Sequence, residues 1–187
     1  MALKESHVVG PAAPAVRDIT LGQLLEQAVR SAPDRLALIA GLPDPAARRQ
    51  WTYAEFYAEA QRTARALRRR FQQGERVAIW AQNLPEWMMM EFGAAMAGVV
   101  LVTVNPAFRA NEVEYVLKQS RSAGVFVVTA FRGNPMLETI HEVAPRCPEL
   151  REIIAFDDWS AFIATGDDRN IQLPDVKPTD PVMIQYT

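Results

Sequence analysis

Hydrophobic positions along the chain fall into two alternating kinds of segment. One kind steps by three and four residues, the period of a helix with one buried face. The other is a short continuous apolar run, the pattern of a strand covered on both sides. The clearest helical stripe is Tyr53, Tyr57, Ala60, Ala64, Leu67 and Phe71, with Arg62, Arg65 and Arg69 on the opposite side. Gly74 is placed to close that helix in a left-handed conformation. Further helices are predicted over 112–119 and after Asn134 and Pro135. Four polar residues stand three positions before a Glu or Gln at the head of a periodic segment: Thr20 with Gln23, Thr52 with Glu55, Asn83 with Glu86, and Asn111 with Glu114. In such a pair the first side chain accepts from a free backbone N–H and the second reaches back, so each pair predicts a helix start.

Apolar runs occur at 36–40, 77–81, 99–104, 124–128, 153–156 and 182–186. The first is expected to pair with the segment near Trp51 as a hairpin, across the turn-rich stretch 41–49. The others are separated by helices, which predicts a layered α/β fold: a mostly parallel sheet with helices on both faces, joined by right-handed crossovers. The run at 182–186 reads as a central buried strand, and the polar, Pro- and Asp-bearing stretch 165–180 as a surface connection. Residues 1–17, with Pro11, Pro14 and several small side chains, read as a flexible tail, and 18–187 as one α/β unit. Residues 87–104 carry a single charge, Glu91. Gly93 and Gly98 interrupt them and the second half is β-branched, so a buried helix followed by a buried strand is expected instead of a membrane span.

Composition narrows the class. The apolar fraction is 49% and the charged fraction 22%, ordinary globular usage that excludes a disordered chain or a collagen-like repeat. A formal net charge of −2 gives no general affinity for nucleic acid or an anionic membrane. The one cysteine, Cys147, allows no intrachain disulfide and fits a reducing compartment, here taken as the cytoplasm. It reads as a small buried apolar residue.

The search for a reaction centre finds little. His7 lies in the expected tail and His141 on a helix surface. Asp157 and Asp158 read as a solvated strand-to-helix turn in preference to a cation site. Met88, Met89, Met90 and Met96 read as core packing in preference to an adaptable binding surface. The Arg62–Arg65–Arg69 face reads as solvated in preference to a phosphate or nucleic-acid patch. Neither a Gly-x-Gly-x-x-Gly loop nor a Walker lysine loop is present. In an open parallel sheet, ligands bind beyond the carboxyl ends of strands. The last apolar run ends at Tyr186 and the sequence at Thr187, so the chain is expected to be cut where a ligand-holding loop would begin. Such a cut leaves an exposed edge that pairs with another copy, as in a homodimer, or aggregates.

Four stretches in order resemble the adenylate-forming (AMP-binding) superfamily, and within it the fatty acyl-CoA synthetases (acid–CoA ligases). They are WTYAEF at 51–56, GERVAIWAQNLPEW at 74–87, AGVVLVTVNPAFRANEVEYVLKQS at 97–120 and DPVMIQYT at 180–187. The last is similar to the strand that leads into the family's Thr-Ser-Gly-Thr-Thr-Gly-x-Pro-Lys-Gly phosphate loop. The resemblance implies ATP, Mg²⁺ and coenzyme A for the complete enzyme, with a fatty acid as the other substrate, no nucleic-acid partner and no transmembrane segment. It assigns only Thr187 as a site residue, contacting an ATP phosphate and Mg²⁺ through its hydroxyl. As the last residue of the chain, Thr187 reads first as a disordered end. The chain alone is expected to be inactive. The alternative is a non-catalytic nucleotide-binding or protein-interaction module, drawn from the α/β pattern and the Arg face.

Overall fold

A computed structural model describes residues 8–11, 13, 15 and 17–186. The expected tail lies for the most part outside the described residues. The first element is α1 (Leu21–Ser31), followed by a hairpin of β1 (Leu36–Ile39) and β2 (Gln50–Thr52). There follow α2 (Tyr53–Arg68), β3 (Arg76–Trp80), α3 (Pro85–Ala97), β4 (Val100–Val104), α4 (Ala110–Ser120) and β5 (Ser122–Val127). The remaining elements are α5 (Met136–Val143), β6 (Glu152–Ala155), α6 (Trp159–Ala164) and β7 (Met183–Gln185).

The expected hairpin forms, with β1 antiparallel to β2 as a small separate sheet. The main sheet is five-stranded and parallel, in the order β6-β5-β3-β4-β7. Right-handed crossovers send successive helices to opposite faces whenever the chain reverses direction across the sheet. Accordingly α1, α2, α3 and α6 pack with one another on one face, and α4 packs with α5 on the other. Every residue of β3 except Arg76 is buried, as a strand covered on both sides must be.

The core is aromatic at its centre. Trp80, Phe71 and Phe126 are fully buried, with Leu67, Ile79 and Met90 among them. Phe126 meets Phe162 of α6 edge-on at 4.9 Å between ring centroids. A second cluster of Leu25, Phe56, Ala60 and Met89 joins α1, α2 and α3, with Phe56 edge-on to Phe92 at 5.3 Å. Met89 and Met90 are buried and Met88 and Met96 pack at the margins, so the methionines are core, as expected. Cys147 is likewise buried. Among the described residues no helix is long and apolar enough to cross a membrane. Glu91, the lone charge of 87–104, sits half-buried on α3, and burial pushes its carboxyl above the ordinary value.

Several local expectations are corrected. Thr20 and Thr52 make reciprocal capping boxes with Gln23 and Glu55, but the two Asn pairs do not. Pro85 takes the first turn of α3 with its fixed φ, leaving Leu84 as the cap residue, and no side chain caps it. At α4 the helix starts before Asn111, and Glu112 reaches back to the N–H of Arg109 at 2.8 Å. Gly74 does not close α2, which ends in right-handed geometry at Arg69. It sits instead at φ +81° in the turn before β3, donating its N–H to the carbonyl of Gly98 at 2.7 Å. Gly98 is the left-handed cap of α3. The last strand is not central: among the described residues β7 is an edge strand beside β4, and only partly buried. Finally, the Arg62–Arg65–Arg69 face is not free in solvent. It holds residues 165–168 of the surface connection.

One ion pair locks the amino ends of the strands. Arg151 donates to both carboxylate oxygens of Glu75, at 3.0 and 2.6 Å, and to the carbonyl of Arg70 at 3.0 Å. The N–H of Gln72 adds a bond to Glu75 at 2.8 Å. The Arg151 guanidinium, chiefly, holds the Glu75 carboxyl below its ordinary value, against the opposing effect of partial burial. A depressed carboxyl contributes stability that is full above its unfolded-state pKa and lost as pH falls through the folded one. Glu75→Gln is therefore expected to lower stability at neutral pH by about 0.5–1 kcal/mol, the size for a half-exposed pair. That deficit should shrink as pH drops below the ordinary carboxylate range, measured by urea denaturation across a pH series.

Candidate functional site

The carboxyl ends of the parallel strands form one rim, and the order of strands singles out a place on it. The chain moves from β3 to β4 on one side, then returns past β3 to β5 on the other. The crossovers diverge between β3 and β5, and in open α/β sheets ligands bind at such a switch point.

Hydrogen bonds cross-link the loops of this rim. Trp80 ends β3, and its indole N–H donates to the carbonyl of Asn105 at 2.9 Å. Asn105 follows β4 and folds its own turn, accepting from the N–H of Ala107 on Oδ1 at 2.9 Å and from the N–H of Phe108 on its carbonyl at 3.0 Å. Asn134, only 5% exposed, reaches across from the loop after β5. It donates through Nδ2 to the carbonyls of Pro106 and Phe108 at 3.3 and 3.1 Å, and accepts from Arg109 Nη1 at 3.1 Å. The Thr129 hydroxyl, past β5, donates to the Asp157 carboxylate, past β6. Thus side chains of β3 and of the loop after β5 tie the loop after β4, and the loop after β5 is tied in turn to the turn after β6. Gln82, two residues beyond β3, carries a buried Oε1 with no hydrogen-bond partner among the described residues.

Beside the rim lies a cleft of about 710 Å³ between the hairpin and the start of α3. Ile39, Leu42, Leu84 and Trp87 are among its apolar walls, and Asn83 lines it as well. Arg49 stands at its margin, bonded to Glu86 Oε1 at 2.7 Å and 5.2 Å from the Trp51 ring centroid.

The sequence-derived candidates distribute as follows. Thr187 lies outside the described residues, as does His7. Tyr186, its neighbour, packs edge-on against Tyr115 at 6.4 Å between centroids, and β7 pairs with β4 so that Gln185 stands opposite Thr103. The chain is thereby directed to the same rim as β3, β4 and β5. His141 is exposed on α5. Asp157 and Asp158 form the expected short turn between β6 and α6. Burial, chiefly, pushes the Cys147 thiol up, away from reactivity. Among the described residues there is no group of three or more His, Cys, Asp or Glu that could hold a metal ion. The rim network of Trp80, Asn105 and Asn134 had no place among the sequence candidates. Its only traces there were the turn signals Asn105-Pro106 and Gly133-Asn134-Pro135.

Comparison with known proteins fits this geometry. Residues 25–187 match the model of the family described as AMP-binding enzyme, and the chain belongs to that family. YngI of Bacillus subtilis (strain 168), whose name assigns it provisionally to the acyl-CoA synthetases, is 38% identical over 133 residues, 71% of this chain and 24% of its own length. The mitochondrial medium-chain acyl-CoA ligase ACSF2 of Danio rerio is 28% identical over 211 residues, covering 99% of this chain and 34% of the relative. A solved structure titled Mycobacterium tuberculosis fatty acyl CoA synthetase superposes with a TM-score of 0.75 at 25% identity, covering 90% of this chain and 32% of that one. The chain thus spans between a quarter and a third of the length of these proteins.

The rim network carries an energetic expectation. Asn134→Ala removes a buried side chain that bonds two carbonyls and one guanidinium of the part-buried loop 106–109, and is expected to cost about 1–3 kcal/mol. Trp80→Phe, which removes one indole donor while keeping most of the ring, should cost about 0.5–1.5 kcal/mol. Both values follow from urea midpoints compared with the parent chain.

Proposed function

We propose that this chain is the scaffold part of an ATP-dependent fatty acid–CoA ligase, presenting β7 and Thr187 to the rim where a triphosphate is held. The family match over 25–187, together with a coverage of only about a quarter to a third of the acyl-CoA ligase relatives, carries this reading. In the reaction, a fatty acid carboxylate oxygen attacks the α-phosphorus of ATP and the bond to the bridging oxygen of pyrophosphate breaks. The coenzyme A thiol, giving its proton to solvent, then attacks the acyl carbonyl, and the bond from that carbon to the phosphate oxygen breaks, releasing AMP. Bringing two anions together needs donors aimed at the phosphates. In this reading the described residues supply the rigid platform for such donors, through the Trp80, Asn105 and Asn134 bonds, and Thr187 supplies a hydroxyl to a phosphate.

The same reading keeps the cytoplasm as the compartment, on the single buried thiol of Cys147, although ACSF2 relatives are named as mitochondrial. It keeps a homodimer as the assembly, on the strand edge at β7. The alternative of a non-catalytic nucleotide or protein module loses one motive, because the Arg face that prompted it is taken up by the chain's own 165–168 segment.

The purified 187-residue chain, given ATP, a fatty acid and coenzyme A, is expected to release no AMP and form no acyl-CoA by chromatography. Turnover would overturn the scaffold reading. Calorimetric titration with ATP, AMP and coenzyme A is expected to show no heat of binding, whereas micromolar binding would favour the non-catalytic module.

A further inference from the structure

The crossover from β6 to β7 is unlike the others. It leaves α6, crosses the helical face of the sheet from the β6 edge to the β4 side, and between 165 and 182 forms no helix or strand. Two kinds of contact hold it, and they are unevenly spread.

The first four residues are gripped. Arg62, Arg65 and Arg69 stand three and four apart on α2, so their side chains form one row. Arg62 donates to both oxygens of Asp167, at 2.7 and 3.3 Å, while Glu59 Oε1 steadies its other nitrogen at 2.9 Å. Arg65 donates to the carbonyl of Gly166 at 2.7 Å. Arg69 donates to the carbonyl of Thr165 at 2.8 Å and to Asp168 Oδ2 at 3.0 Å. Gly166 lies so close to α2 that a Cβ there would stand 1.9 Å from the carbonyl oxygen of Arg62. Only glycine permits that approach.

Beyond this grip the hold changes. Among the described residues, the hydrogen bonds of 170–181 run within the segment itself: Asn170 to Asp168, Ile171 to Asp168, Lys177 with Asp175 and Asp180. Leu173 packs, partly buried, against the main core, and beside it lie two gaps of about 220 and 230 Å³ against α1, α2 and α3. At its far end β7 contributes three residues at the sheet edge.

We propose that the Arg62–Arg65–Arg69 row is an electrostatic latch that docks the 165–182 strap on α2, and that opening it frees strand β7 while the rest of the sheet stays folded. The ion pairs are half-exposed: side-chain accessibility is 30% and 60% for Arg62 and Asp167, and 46% and 39% for Arg69 and Asp168. Pairs this wet are screened by salt. Releasing them returns conformational freedom to a long loop and removes the anchor of a short edge strand, the kind of segment that opens locally. The inference rests on the structure alone and stands whether or not the ligase reading holds.

Hydrogen exchange followed by mass spectrometry tests it on the chain as it is. Raising salt from about 20 mM to about 500 mM shortens the screening length several-fold. Exchange across 165–186, β7 included, and at the β4 amides that face β7, such as the Leu101 N–H bonded to the Val182 carbonyl at 3.0 Å, is expected to rise about three- to fivefold, the effect of losing two half-exposed pairs, while β3 and β5 keep their rates. The double variant Arg62→Gln, Arg69→Gln should show the same pattern at low salt, and Arg62→Lys, Arg69→Lys a smaller one. Gly166→Ala should open the strap by steric contact with no change of charge, and so lose the salt dependence. If 165–168 is released while β7 keeps its protection, or if the whole sheet accelerates together, the latch is wrong. Should a variant fail to fold, the salt series on the parent chain still separates these patterns from the expected one.

Discussion

Parallel strands cannot be joined by tight turns. Each neighbouring pair needs a crossover that climbs over a face of the sheet, and both faces must then be apolar because both are covered. That constraint organises this protein. It explains why β3 is buried along almost its whole length. It explains why α3, lying between the sheet and the α1–α2 layer, is apolar nearly all round, with Glu91 as a half-buried exception. It also brings every strand's carboxyl end to one rim, so that Trp80, Asn105, Thr129 and Asn134 meet although they are distant in sequence.

What could be read from the sequence follows from the range of the interactions involved. The capping boxes at Thr20 and Thr52 are local chemistry, and they form as read. The pair at Asn83 fails because Pro85 is a stronger local determinant of the start of α3. The pair at Asn111 fails because the helix already starts at Ala110, where Glu112 reaches back to the Arg109 N–H, and Glu114 is bonded to Lys118 and Arg146. Periodicity identified the arginine side of α2 correctly but carried no information on what covers it. Its partners lie about a hundred residues further along, at 165–168. The apolar run at 182–186 marks a strand, yet apolarity does not distinguish an edge from a centre when a neighbour covers one side only.

The rim was less legible than the fold. Turn residues such as Asn105 and Asn134 advertise that the chain bends, and say nothing of which loops they join. Their bonds cross between elements separated by an entire helix. The family could be recognised because whole strand-and-turn stretches resemble it in order, and the match over 25–187 agrees. The one residue that the resemblance marked as functional, Thr187, falls outside the described part of the chain.

The position of β7 has a bearing on how the molecule assembles. Strands β3, β4 and β5 neighbour one another in space and follow one another in sequence, so they can associate as they leave the ribosome. β7 must instead find β4 from some eighty positions away, Val102 lying opposite Ile184. Pairings across so long a loop are entropically late. The order of synthesis and the order of closure thus coincide for these strands: the β3, β4 and β5 nucleus first, and the β7 edge after it.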